Sequence, residues 1–230
     1  MKGGENLADT IRVISKYADL IVLRHPLDGS ARMATEFAAV PVINGGGDGS
    51  VHHPTQTFLD LYTIRRESHL EGLKIAMAGD LKYGRTVHSL CYALSLYGGA
   101  EMTFVSPPEL RMPPREIVRE LRKKNIRVKE TECLEEIIGD IEVLYMTRVQ
   151  RERFPDPQEY EKVKNKLKIT GDLLKSADPE LKILHPLPRV NEISPDVDDT
   201  PPHARYFEQA FYGVPIRMAL LALTIGGVIE

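Results

Sequence analysis

"KIAMAGDLKYGRTVHSLCYALSLY", residues 74–97, is the stretch whose reading decides the fold. Its first seven residues are a short apolar run ending in Gly79 and Asp80, the pattern of a buried strand that stops at a turn. Beyond a polar loop, Val87, Leu90, Cys91 and Leu94 recur at i, i+3, i+4 and i+7, which predicts an amphipathic helix over 87–97. Strand, loop and helix in that order form the repeating unit of a parallel α/β sheet.

The same alternation extends outward in both directions. Strands are expected at "DLIVLRH" (19–25), "VPVIN" (40–44), "AEMTFVS" (100–106), "RVKE" (127–130), "EVLYMTR" (142–148) and "KILHPLP" (182–188). "PREIVRELRKK" (114–124) reads as a helix with a proline at its first position and an apolar stripe at Ile117, Val118 and Leu121. "PIRMALLALT" (215–224) is apolar nearly all round and is expected to be buried between other elements. "ESHLEG" (67–72) is the best boundary, because it follows a long helix and precedes a fresh strand–loop–helix unit. A short N-terminal α/β piece and a longer, more complete C-terminal α/β domain result, and the final helix could join either.

The bulk numbers suit this class. The chain has 230 residues, 42% hydrophobic and 27% charged, enough for one large domain or two small ones with a real core. A formal net charge of −3 gives no reason to expect nucleic acid or an anionic membrane as a partner. The longest apolar run, "MALLALTIGGVI" (218–229), falls short of the roughly 20 residues of a membrane span. No apolar stretch follows Lys2 to make a signal peptide. Cys91 and Cys133 are far apart and match no metal-ligand spacing, so they read as reduced, buried thiols of a cytoplasmic protein.

In parallel α/β sheets ligands bind at the carboxyl ends of strands, beside helix N-termini. Here those ends carry "RHP", "NGGGDGS" followed by "HHPTQT", "GDLKYGRT", "TRVQRER" and "HPLPR". Arg24, Arg85 and Arg148 are therefore expected to converge on one cleft. Taken singly, each could equally make a surface ion pair. Together they imply a ligand with several negative charges, because a guanidinium grips carboxylate or phosphate bidentately. His52 and His53 have no companion at ligand spacing for a metal. His53 precedes Pro54 and so sits near the cap of the next helix, where a protonated imidazole is disfavoured. It is either a capping and packing residue or a neutral donor to a carbonyl oxygen. His52 reads as a bystander. No G-x-S-x-G elbow, phosphate-binding G-x-x-x-x-G-K-[ST] loop or G-x-G-x-x-G dinucleotide fingerprint occurs.

The motifs "KGGENLADT", "RHPLDGSAR", "INGGGDGSVHHPTQTFLDLYTI", "GDLKYGRTVHSL", "LYMTRVQRERF", "HPLPRVNEI" and "DDTPPHARYFEQA" span nearly the whole chain. In this order they resemble the catalytic chains of the aspartate/ornithine carbamoyltransferase family. "TRVQ" and "HPLP" favour the aspartate carbamoyltransferase branch. The resemblance implies transfer of the carbamoyl group of carbamoyl phosphate to L-aspartate, giving N-carbamoyl-L-aspartate and phosphate in pyrimidine biosynthesis, with no cofactor and no metal. It implies two parallel-sheet α/β domains, the N-terminal, carbamoyl phosphate one incomplete. The division would be 1–68, 69–208 for aspartate binding, and a helix at 209–230 packing back on the N-terminal domain. Arg24, His53 and Gln56 would contact carbamoyl phosphate, and the turn at Pro186, Leu187 and Pro188 would face the carbamoyl amide or the attacking amine. Arg85, Arg148 and Gln150 would hold the two carboxylates of aspartate, with Thr86 nearby. Lys2 would serve a neighbouring subunit's site, in competition with Gly3 for that position, within a homotrimer or a larger assembly with or without regulatory chains.

Two departures set a further expectation. Family members carry about 80 more residues before the first motif, including a Ser-Thr-Arg-Thr phosphate loop that does not occur in this sequence. Each charge-assisted donor missing from the phosphate costs roughly 1.5–3 kcal/mol, so the chain is expected to hold carboxylates better than it turns over. The alternative reading is a non-catalytic remnant that binds dicarboxylates or assembles with a partner chain. An incomplete first layer is expected to leave apolar surface exposed or paired.

Overall fold

The computed structural model describes residues 5–47, 52–151, 154 and 156–226. The first unit runs α1 (Leu7–Ile14), β1 (Ile21–Leu23), α2 (Ser30–Phe37) and β2 (Val42–Asn44). The Asn6 side chain starts α1 by accepting the Asp9 N–H at 2.8 Å. β1 and β2 pair in parallel with Ile21 opposite Val42. Ile11, Ile21 and Ala34 form a small core between helices and sheet, with Leu7, Leu23 and Phe37 around it.

A long helix, α3 (Pro54–Glu67), leads from this unit to a larger one. Its elements are β3 (Lys74–Ala78), α4 (Arg85–Leu94), β4 (Glu101–Val105), α5 (Arg119–Lys123), β5 (Arg127–Thr131), β6 (Val143–Met146), α6 (Pro157–Val163), α7 (Gly171–Leu174), β7 (Lys182–Leu184) and α8 (Tyr206–Ile225). The five strands lie in the order β5-β4-β3-β6-β7, and every pair is parallel. All seven expected strands are present, six trimmed at one or both ends and β5 one residue longer than expected. A sheet covered on both faces needs apolar residues on both, and the central strands supply them. Ile75, Met77, Val143 and Tyr145 face α4, whose Val87, Leu90, Cys91 and Leu94 are all fully buried. Ala76, Ala78, Leu144 and Met146 face the opposite core with Ile183 and Leu174.

The chain winds from β3 to β4 to β5, then returns to place β6 on the other side of β3. Connections from β3 and β6 thus leave in opposite directions and open a crevice at their carboxyl ends. Gly79, at φ +107°, permits the close approach there: a Cβ would lie 2.1 Å from the Thr147 carbonyl oxygen.

Three expectations are corrected. The segment 114–124 is not one regular helix: Pro114–Val118 forms a wide turn, with the Val118 N–H reaching the Pro113 carbonyl, before α5 begins. Two successive prolines remove N–H groups from its first turn. The final helix is neither short nor buried all round; it begins at Tyr206, runs through Pro215, and packs one face on α3. Its other face leaves Phe211 67% and Met218 64% exposed, together with Phe207, Val214, Leu223 and Ile225. Cys133 is only half-buried, its thiol donating to Glu135 Oε2 at 2.9 Å, whereas Cys91 is fully buried.

Candidate active site

A cavity of about 550 Å³ opens where the carboxyl ends of both sheets face each other. Arg24 enters it directly after β1, and Arg85 and Thr86 enter from the first turn of α4. Arg148 and Gln150 follow β6, and Pro186, Leu187 and Pro188 follow β7. His53 and Gln56 come from the start of α3. The sequence-expected residues therefore meet in one place, with a single exception: Lys2 lies outside the described residues.

His53 is the N-cap of α3. Pro54 behind it starts the helix without needing an N–H partner, which holds the imidazole at the cap. Its Nδ1 accepts the Gln56 N–H at 3.4 Å, and the main-chain N–H of His53 donates to Ser89 Oγ at 3.0 Å. The ring packs against Gly46, at φ +77°, where a Cβ would fall 2.6 Å from the imidazole. Burial first, then the positive charges of Arg85, Arg24 and Arg217, pull the His53 pKa from 6.5 down to about 4. At neutral pH the ring is uncharged. With Nδ1 accepting, the proton resides on Nε2, leaving a neutral donor. His52 is exposed, stands 3.4 Å from Ser89 Oγ, and does not line the cavity.

The turn after β7 is anchored from below. His185 is buried; its Nδ1 accepts the Leu187 N–H at 2.8 Å and its Nε2–H donates to Glu192 Oε1 at 2.8 Å. Burial opposes the Glu192 charge, but the bonds from His185 and from main-chain N–H groups outweigh it and lower its pKa. Leu187 is held at φ +51°, a conformation that costs a non-glycine residue on the order of 1 kcal/mol. Arg85 reaches across the cavity toward the Gly46 carbonyl oxygen, at 3.5 Å.

Several lining residues were not anticipated. Arg217, Leu220 and Leu221 descend from α8, and His185 sits at the base of the turn. The signal for Arg217 is its place as the lone charge in "PIRMALLALT". His185 lies within the quoted "HPLP". Among the described residues, four arginines and no carboxylate line the cavity. Such a wall, with a neutral imidazole donor beside it, suits a ligand that carries several negative charges and a polar carbonyl.

The chain is similar to known proteins along nearly its whole length. The family model for the aspartate/ornithine carbamoyltransferase carbamoyl-P binding domain matches residues 1–66, and that for the Asp/Orn binding domain matches residues 71–224. The aspartate carbamoyltransferase catalytic subunit of Methanosarcina mazei is 98% identical over 223 residues, covering 97% of this chain and 71% of that protein. The corresponding subunit of Methanocaldococcus jannaschii is 60% identical, covering 95% and 70%. A solved catalytic subunit of M. jannaschii aspartate transcarbamoylase superposes with a TM-score of 0.89 at 59% identity, over 98% of this chain and 72% of that one. Aspartate transcarbamoylase from Trypanosoma cruzi in complex with N-(phosphonacetyl)-L-aspartic acid superposes with a TM-score of 0.83 at 37% identity, over 95% and 68%.

Proposed function

The chain belongs to the aspartate/ornithine carbamoyltransferase family, and from this premise we propose that it is an aspartate carbamoyltransferase catalytic chain. It transfers the carbamoyl group of carbamoyl phosphate to the amine of L-aspartate, giving N-carbamoyl-L-aspartate and phosphate. The observation that carries this reading is the convergence of Arg24, Arg85, Arg148 and a neutral His53 on one cavity.

The chemistry follows from that wall. The aspartate nitrogen attacks the carbamoyl carbon, a C–N bond forms, the C–O bond to phosphate breaks, and the departing phosphate takes the proton that the amine gives up. His53 Nε2–H is the donor suited to the carbonyl oxygen, on which negative charge grows in the tetrahedral intermediate. Arg24 sits with His53 and Gln56 on the carbamoyl phosphate side. Arg85, Arg148 and Gln150, with Thr86, take the two carboxylates, and the main-chain carbonyls of Pro186, Leu187 and Pro188 face the amide or the incoming amine. Holding both reactants in line supplies much of the rate, since the reaction needs no covalent intermediate.

The proposed division is a carbamoyl phosphate unit at 1–68, an aspartate unit at 69–208, and a C-terminal segment at 209–230 that returns to the first through α8. Two separate sheets and the packing of α8 on α3 support it. We further assign a cytoplasmic location and a homotrimer or larger assembly, with regulatory chains as an open addition; no helix among the described residues is long and apolar enough to cross a membrane.

The test is an assay for labelled carbamoyl-aspartate on the purified chain, paired with calorimetry of N-phosphonacetyl-L-aspartate. Turnover lost in Arg148→Ala, with binding of the analogue abolished, is expected. Binding without turnover in the parent chain would favour the non-catalytic alternative, and no binding of the analogue would overturn the reading.

A further inference from the structure

We propose that Asp60 is a positioning residue, holding the Gln56 amide and, through Gln209, the His185–Pro188 turn in register on opposite walls of the cavity. The inference rests on the reading of this cavity as a carbamoyl phosphate and aspartate site.

Asp60 is fully buried in α3, one turn beyond Gln56. Its Oδ1 accepts from Gln56 Nε2 at 2.8 Å and from Gln209 Nε2 at 2.7 Å; its Oδ2 accepts from the Tyr145 hydroxyl at 2.8 Å. Three elements, α3, α8 and β6, thus meet on one carboxylate. Gln209 passes the contact on: its Oε1 accepts the His185 N–H at 2.7 Å, at the base of the turn. Gln56 passes it the other way, because its main-chain N–H donates to His53 Nδ1.

An ionised carboxylate only accepts, so each amide around it must turn its NH₂ inward. Gln209 then has its oxygen outward, where it meets His185. Gln56 likewise has its oxygen as the amide atom not engaged by Asp60. A cavity-lining acceptor so oriented matches an N–H of a carbamoyl group. Burying a carboxylate is costly, and an apolar cluster of similar volume would hold three elements together as well or better. Burial does push the Asp60 pKa up to about 6, against the three hydrogen bonds that favour its charge. What an apolar cluster could not do is set the orientation of two amides.

The experiment compares calorimetric affinities for phosphonoacetamide, which carries a carbamoyl-like amide, and for inorganic phosphate, which does not. In Asp60→Asn the amide-bearing ligand should weaken about tenfold, the scale of one misoriented hydrogen bond, while phosphate stays within about twofold. Equal weakening of both ligands, or none, would overturn the proposal, as would a parent chain that does not distinguish them. A parent chain that binds neither would instead overturn the carbamoyl phosphate reading. If Asp60→Asn does not fold, Tyr145→Phe removes a single donor; a smaller loss confined to phosphonoacetamide is expected, and an unchanged affinity counts against the role.

Discussion

At the scale of single residues, His53 and Asp60 pull the pH dependence of stability in opposite directions. The folded pKa of His53, about 4, lies below its ordinary 6.5, so the unfolded chain binds the extra proton between those values. Its contribution is complete above about pH 6.5 and is lost as pH falls toward 4. The folded pKa of Asp60, about 6, lies above its ordinary 3.8, so its contribution is present below pH 3.8 and is lost as pH rises through 6. In Asp60→Asn only the His53 limb remains. Stability should then climb more steeply from about pH 4 to 6.5 than in the parent chain, as read by urea midpoints across that range. A proton NMR titration of the His53 ring with a midpoint near 6.5 would refute the assignment. His53 was legible because Pro54 marks the helix start. Asp60 was not: nothing in "PTQTFLDLY" says that the carboxylate four residues after a glutamine turns inward to meet residues 85 and 149 positions further along.

Among the elements, α4 was the most legible and α8 the least. The i, i+3, i+4, i+7 pattern of α4 corresponds to four side chains that are fully buried against β3 and β6. Leu90→Ala should therefore cost about 2–5 kcal/mol, seen as a lower denaturant midpoint with an unchanged slope. A cost under about 1 kcal/mol would mean that the helix does not carry its share of the core. In α8 the period was hidden, because apolar residues occur on every side of it and Pro215 reads as a start when it is an interior position. Composition could not show that only one face finds α3 to pack on. The same ambiguity concealed Arg217, which the apolar reading of 215–224 passed over and which lines the cavity.

For the molecule as a whole, chain order revealed seven parallel strands but not their arrangement in space. No residue announces that β6 returns to the far side of β3, and that return creates the crevice. The polar residues at strand ends gave the better guide, since side chains that must share one ligand constrain which ends face each other. The wall of four arginines, with no carboxylate among the described residues that line it, also has a kinetic consequence. The chain carries a formal net charge of −3, so its far field repels anions, while the cavity draws them in at short range. Capture of a polyanion should therefore depend on how far that local field extends, which at physiological ionic strength is only about 8 Å. In stopped-flow mixing with N-phosphonacetyl-L-aspartate, raising sodium chloride from about 0.02 to 0.2 M should slow association severalfold and change dissociation little. An association rate indifferent to salt would show that the arginines grip the anion only after it has arrived.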